Sequence, residues 1–123
     1  IDFTSPYSAG LRALMIRSCR DAGLDACEDG VYGVTQGPRL ETAAEITRME
    51  RDGCTIVGMT GMPEAKLARE AELGYAALAV VANHAAGRGT SGVEVKLADI
   101  EAVLLQAMAR ARRVIEALVE RIG

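Results

Sequence analysis

Three short segments of the chain gather residue types that do chemistry. Gln36-Gly37-Pro38-Arg39-Leu40-Glu41-Thr42 joins a turn to a cation, an apolar side chain and a carboxylate. Gly58-Met59-Thr60-Gly61-Met62-Pro63-Glu64 combines glycines that admit close backbone approach with a hydroxyl where a helix can begin, a setting that favours anions. Asn83-His84 places an amide, which donates and accepts at once, beside the only histidine. Each group also has a plain structural role open to it. Glu41 suits the positive end of a helix, Thr60 a turn or cap, Asn83 a loop tie, and Arg39 an ion pair. His84 has no placed partner in the sequence, so a structural role stands beside that of general base. The GRGTSG stretch lacks the lysine and the strand-to-helix setting of a nucleotide loop.

The elements that position these segments follow from apolar spacing and caps. Ser8 to Ala22 carries Leu11, Leu14, Met15 and Cys19 at helical steps, with Ser8 as N-cap and Gly23 as stop. Val31 to Thr35 is a β-favouring run that breaks at Gly37-Pro38. Thr42-Ala-Ala-Glu45 has capping-box spacing and opens a helix that ends at Gly53. Cys54 to Val57 reads as a buried strand, and Pro63-Glu64 as the start of a helix ending before Gly74. Tyr75 to Ala82 is almost wholly apolar, the pattern of a parallel strand covered on both faces, and Ala86 to Gly92 reads as a mobile loop. From Ile100 to Ile122 apolar residues keep helical spacing for about six turns, with Asp99 beside the start. Helices alternating with short strands predict an α/β layer with a mainly parallel sheet, and the three functional segments fall where ligands gather, beyond strand ends. Only about three strands are visible, which points to part of a larger sheet.

Composition narrows the function classes. The 123 residues are 50% hydrophobic and 25% charged with a formal charge of −3, an ordinary globular balance without the basic patch that nucleic acid or an anionic membrane would require. At this length a chain can bury roughly two-thirds of its unfolded surface. No apolar run is long enough to span a bilayer and no secretory leader is visible at the start, so a cytoplasmic setting is expected. Cys19, Cys27 and Cys54 lack metal or disulfide spacing and are expected to be buried thiols.

Gly37 to Ile46 (GPRLETAAEI), Val57 to Glu70 (VGMTGMPEAKLARE) and Leu73 to Gly87 (LGYAALAVVANHAAG), in this order, resemble the purine nucleoside and methylthioadenosine phosphorylase family. The resemblance implies that residues 1–123 are the C-terminal half of a single nucleoside phosphorylase-type α/β sandwich, with a mostly parallel mixed sheet and a long C-terminal helix. It implies phosphorolysis, in which inorganic phosphate attacks C1′ of a purine nucleoside through an oxocarbenium-like transition state, with phosphate as co-substrate and no metal or redox cofactor. The N-terminal half, carrying the phosphate loop, and a homotrimer are the implied partners.

Carried over by motif, Thr60 contacts phosphate, Met59 packs on the ribose, and Leu40 stands where the family places Phe against the base, which removes an aromatic face. Asn83 and Glu41 would read the base. An amide donates to O6 or N7 of a 6-oxopurine and a carboxylate accepts from N1–H, whereas members that prefer 6-aminopurines carry Asp at the first position and again two residues later, where this chain has Ala85. Ile100, with Val103 and Leu104 one turn on, would wall the 5′ end of the sugar with apolar surface where members using a 5′-hydroxyl place His; helix periodicity alone also makes Ile100 a core residue. The expected substrate is therefore methylthioinosine, with methylthioadenosine or inosine and guanosine as alternatives. An inactive α/β fragment or a nucleoside-binding module lacking the phosphate loop is the alternative outside the enzymes. The expectation includes a geometric condition: Asn83 and Glu41 must face one cavity.

Overall fold

Helix α1 (Ala9–Asp21) starts where the hydroxyl of Ser8 accepts the free amide of Leu11, and gives way to Gly23 in the left-handed region. The whole chain, residues 1–123, is described by a computed structural model. After α1 come strand β1 (Tyr32–Val34), helix α2 (Ala43–Arg51), strand β2 (Ile56–Gly58), helix α3 (Gly61–Glu70), a 3-10 turn at Gly89–Ser91 and helix α4 (Leu97–Ile122). The two strands pair in parallel, with Tyr32 opposite Ile56 and Val34 opposite Gly58, so β1, α2 and β2 form one strand–helix–strand crossover unit.

The capping box predicted for α2 is complete. The Thr42 hydroxyl accepts from the Glu45 amide at 3.2 Å, and the Glu45 carboxylate accepts from the Thr42 amide at 2.7 Å. Helix α3 carries a break at Met62, whose backbone is extended, so regular helical geometry begins at Pro63 as its sequence position predicts. Helix α4 starts two residues before Asp99 and packs along α1, burying Val114 from one side and Ser18 and Cys19 from the other. A second small core forms where Ile46 and Met49 of α2 meet β1 and where Ala65 of α3 is enclosed.

Two expectations fail. Tyr75 to Ala82 is not a strand, because its backbone has no ladder partner. Ser8 donates to the carbonyl of Tyr75, and from residue 76 to residue 84 no main-chain hydrogen bond forms. An apolar sequence makes a buried strand only when neighbours lie on both sides, and here Val81 is 68% exposed. The sheet of these residues is thus two parallel strands, and only nine residues are buried, well short of a full core for this length. The cysteines also divide: Cys19 is buried, its thiol pKa raised by desolvation, Cys54 is half-buried, and Cys27 is exposed on an irregular segment. No helix is long and apolar enough to cross a membrane.

Candidate functional site

The carboxyl end of β1 runs into Thr35, whose amide donates to the Gly58 carbonyl and extends the ladder by one residue. The Thr35 hydroxyl then donates to the Glu41 carboxylate at 2.5 Å, which anchors that half-buried side chain at the strand end. Between them Gly37 adopts φ +63°, and a side chain there would meet the sulfur of Met59 at 2.7 Å, so Met59 lies over the turn. Arg39 forms a two-pronged pair with Glu45, both contacts at 2.8 Å. With the Thr42 amide, that pair holds the Glu45 carboxyl down to about 2 and raises the Arg39 guanidinium. Arg39 therefore plays the structural role left open for it. Leu40 is 43% exposed.

At the end of β2, Thr60 is exposed and makes no capping bond to α3. Its hydroxyl lies 3.3 Å from that of Tyr32, and its amide donates to the same phenol oxygen at 3.4 Å. The Tyr32 ring packs over Gly58 and Gly61, so β1 and β2 share one hydroxyl pair beside the first turn of α3. Tyr32 is a residue that its place in a β-run does not single out; the signal is the glycine at both 58 and 61, which leaves room for a ring.

Asn83 lies after the unpaired segment, and its amide nitrogen donates to the His84 carbonyl at 2.7 Å. The imidazole Nδ1 of His84 shares a hydrogen bond with the Thr90 hydroxyl at 3.1 Å. Asn83, His84 and Thr90 line an open cavity of about 360 Å³ with Lys96, Asp99 and Val103. Helix α4 thus brings Val103 to the cavity of Asn83; Ile100 and Leu104 are half-buried on the same helix and do not line that cavity. Of its other lining residues, the sequence singles out neither Lys96 nor Thr90, which lies in the GRGTSG stretch, and marks Asp99 only as a helix-start residue.

Glu41 does not join them. It lines a second cavity of about 260 Å³ with Thr35, Gln36, Arg39, Glu45 and Arg48, so within these residues Glu41 and Asn83 line different cavities. Helix α2 is the reason. Ile46 and Met49 turn inward, with the Met49 sulfur against Gly33. Ala43, Thr47 and Glu50, at steps of four and three, meet the loop after Asn83, where Arg88 donates to Thr47 at 3.1 Å and to Glu50 at 2.6 Å and Gly87 sits against Ala43. Glu45 and Arg48 face the second cavity. The loop after Asn83 and the cavity of Glu41 therefore meet different faces of one helix.

Comparison with known proteins gives one consistent picture. A family model described as the phosphorylase superfamily matches residues 1–120. A probable S-methyl-5'-thioinosine phosphorylase of Xylella fastidiosa is 57% identical over 100 residues, covering 81% of this chain and 42% of that protein. A protein of the same name from Pseudomonas syringae pv. tomato is 54% identical over 112 residues, covering 91% and 45%. A 6-oxopurine nucleoside phosphorylase of Pyrococcus furiosus is 49% identical over 87 residues, covering 71% and 33%. The chain spans less than half the length of these relatives. Methylthioadenosine phosphorylase from Schistosoma mansoni, solved with adenine, superposes on all of this chain and 48% of its own with a TM-score of 0.92 at 23% identity. The fold is shared: an α/β layer with parallel strands and a long C-terminal helix.

Proposed function

Because the chain belongs to the phosphorylase superfamily, we propose that it is the C-terminal half of a nucleoside phosphorylase domain that cleaves a 6-oxopurine nucleoside with phosphate, methylthioinosine being the favoured substrate. The observation that carries this reading is the identity of 57% and 54% to proteins named for S-methyl-5'-thioinosine, together with Asn rather than Asp at position 83. An amide donates to a keto oxygen, whereas a carboxylate does not.

In this reading Asn83 donates to O6 or N7 as electron density moves into the departing base, which makes it a catalytic residue as well as a reader. Val103, in the same cavity, gives the 5′-methylthio group an apolar wall with Ile100 and Leu104 beside it on α4. Thr60 binds phosphate beside the first turn of α3, and Met59 and Leu40 pack on ribose and base. Glu41 accepts from N1–H, a role that requires the two cavities to open into one around the bound purine. Inosine or guanosine is the second reading, supported by the relative named 6-oxopurine nucleoside phosphorylase. Phosphate is the co-substrate, with no metal or redox cofactor. The proposal extends to an N-terminal half as partner, a homotrimer and a cytoplasmic location. A structure of the complete enzyme with hypoxanthine and phosphate tests the assignments. Glu41 and Asn83 contacting one purine is the expected result, and a base touching only one of them removes the other from the site.

A further inference from the structure

The His84 ring is held from two directions by its own loop. On one side Nδ1 shares its bond with the Thr90 hydroxyl. On the other the ring lies on the bare Cα of Gly89, where a methyl group would meet ring carbons at 2.6 Å. Gly89 has φ +44°, a conformation that favours glycine, so the backbone is shaped to receive the ring. The same loop is fastened to α2 through Arg88, Thr47 and Glu50, and closed on itself where the Gly87 amide donates to the Ser91 carbonyl at 2.9 Å. The residue whose ring is clasped in this way is the one whose carbonyl accepts the Asn83 amide at 2.7 Å.

That bond settles which way the Asn83 amide faces. A peptide carbonyl only accepts, so the nitrogen end must point to it and the oxygen end cannot. One N–H is spent on His84, leaving the second N–H and the side-chain oxygen for a ligand. We infer that His84 is a positioning residue that acts through its clasped ring and its carbonyl to fix the orientation of the Asn83 amide, and so sets the preference for a keto over an amino purine. The inference rests on the assignment of Asn83 as base reader. With the clasp released, residue 84 can rotate, the amide can turn over, and a purine meets a mixture of donor and acceptor.

Two measurements test it. In the complete enzyme, His84→Ala should lower kcat for methylthioinosine about tenfold or more, the scale on which small misplacements act, with KM changed less than about threefold. It should also narrow the preference over methylthioadenosine. His84→Asn, whose amide reaches the place of Nδ1, should restore most of kcat, and Thr90→Val, which loses only the hydroxyl bond, should repeat part of the loss. Unchanged kcat and preference in both His84→Ala and Thr90→Val would overturn the inference. The second measurement is independent of activity. In the complete enzyme labelled with [15N]asparagine, the side-chain NH2 pair that disappears in Asn83→Ala is that of Asn83. The two protons should be well separated in the native chain and converge in Thr90→Val. An identical pair in both would overturn the clasp even if the enzyme proved to act on another substrate, while phosphorolysis absent from the unsubstituted enzyme would count against the functional reading alone.

Discussion

Replacing Asn83 by Asp perturbs the base reader with a change of one atom and a charge. In the native chain the amide nitrogen stands 2.7 Å from the His84 carbonyl. A carboxylate oxygen in that place would set acceptor against acceptor, so the side chain must swing away and the donor offered to O6 or N7 is lost. A lost donor of this kind costs about 1–3 kcal/mol. At 1.4 kcal/mol per tenfold, this is about 5- to 150-fold in kcat/KM for methylthioinosine. An amino group gains what the keto oxygen loses, since the carboxylate accepts from it, so the ratio of kcat/KM for methylthioadenosine to that for methylthioinosine should rise by at least about tenfold. Steady-state release of hypoxanthine and of adenine by the complete enzyme measures both. Asn83 is exposed, and the variant should remain folded, which thermal melting checks. A ratio within about threefold of the native one would refute the assignment of the amide as the group that distinguishes the bases.

Ile100→His supplies a donor and acceptor to the proposed 5′ pocket, so preference should move from methylthioinosine toward inosine by about tenfold, the worth of one hydrogen bond; an unmoved preference would leave Ile100 as packing only. Gly89→Ala forces a side chain into the left-handed region and against the His84 ring, and should cost about 1–2 kcal/mol, read as a lower urea midpoint; an unchanged midpoint would contradict the tight seat described for the ring. The Glu45 carboxyl, held to about 2 by Arg39 and the Thr42 amide, lies below its ordinary 4.5, so its small contribution to stability is present above about pH 4.5 and is lost as pH falls toward 2. In Arg39→Ala its titration, followed by carboxyl NMR, should move up toward 4.5, and a curve that stays in place would assign the depression to the cap alone.

What was legible in the sequence is what short-range chemistry decides. Ser8, the Thr42–Glu45 box and Pro63 mark helix starts because each answers local backbone groups, and the structure places them so. The run from Tyr75 to Ala82 was illegible for the opposite reason. Its apolar pattern states what it would bury, but a ladder is a property of two segments, and beyond the Ser8 amide at the Tyr75 carbonyl no other segment of these residues bonds to its backbone. The placing of Glu41 and Asn83 at separate cavities of these residues was hidden at the same level. The strand-end rule puts ligand-binding residues at one edge of a sheet, yet α2 presents one face to the loop of Asn83 and another to the cavity of Glu41, a division that only the packed helix reveals. His84 stood open between catalysis and structure because its partners, Thr90 and Gly89, lie in a loop whose composition suggested mobility, whereas it contains a 3-10 turn tied to α2.

The most direct measurement is a side-by-side assay of the complete enzyme with methylthioinosine, inosine and methylthioadenosine, each with and without inorganic phosphate. Hypoxanthine released fastest from methylthioinosine, only when phosphate is present, is the expected outcome. Equal turnover of methylthioadenosine, or cleavage that proceeds without phosphate, would contradict it.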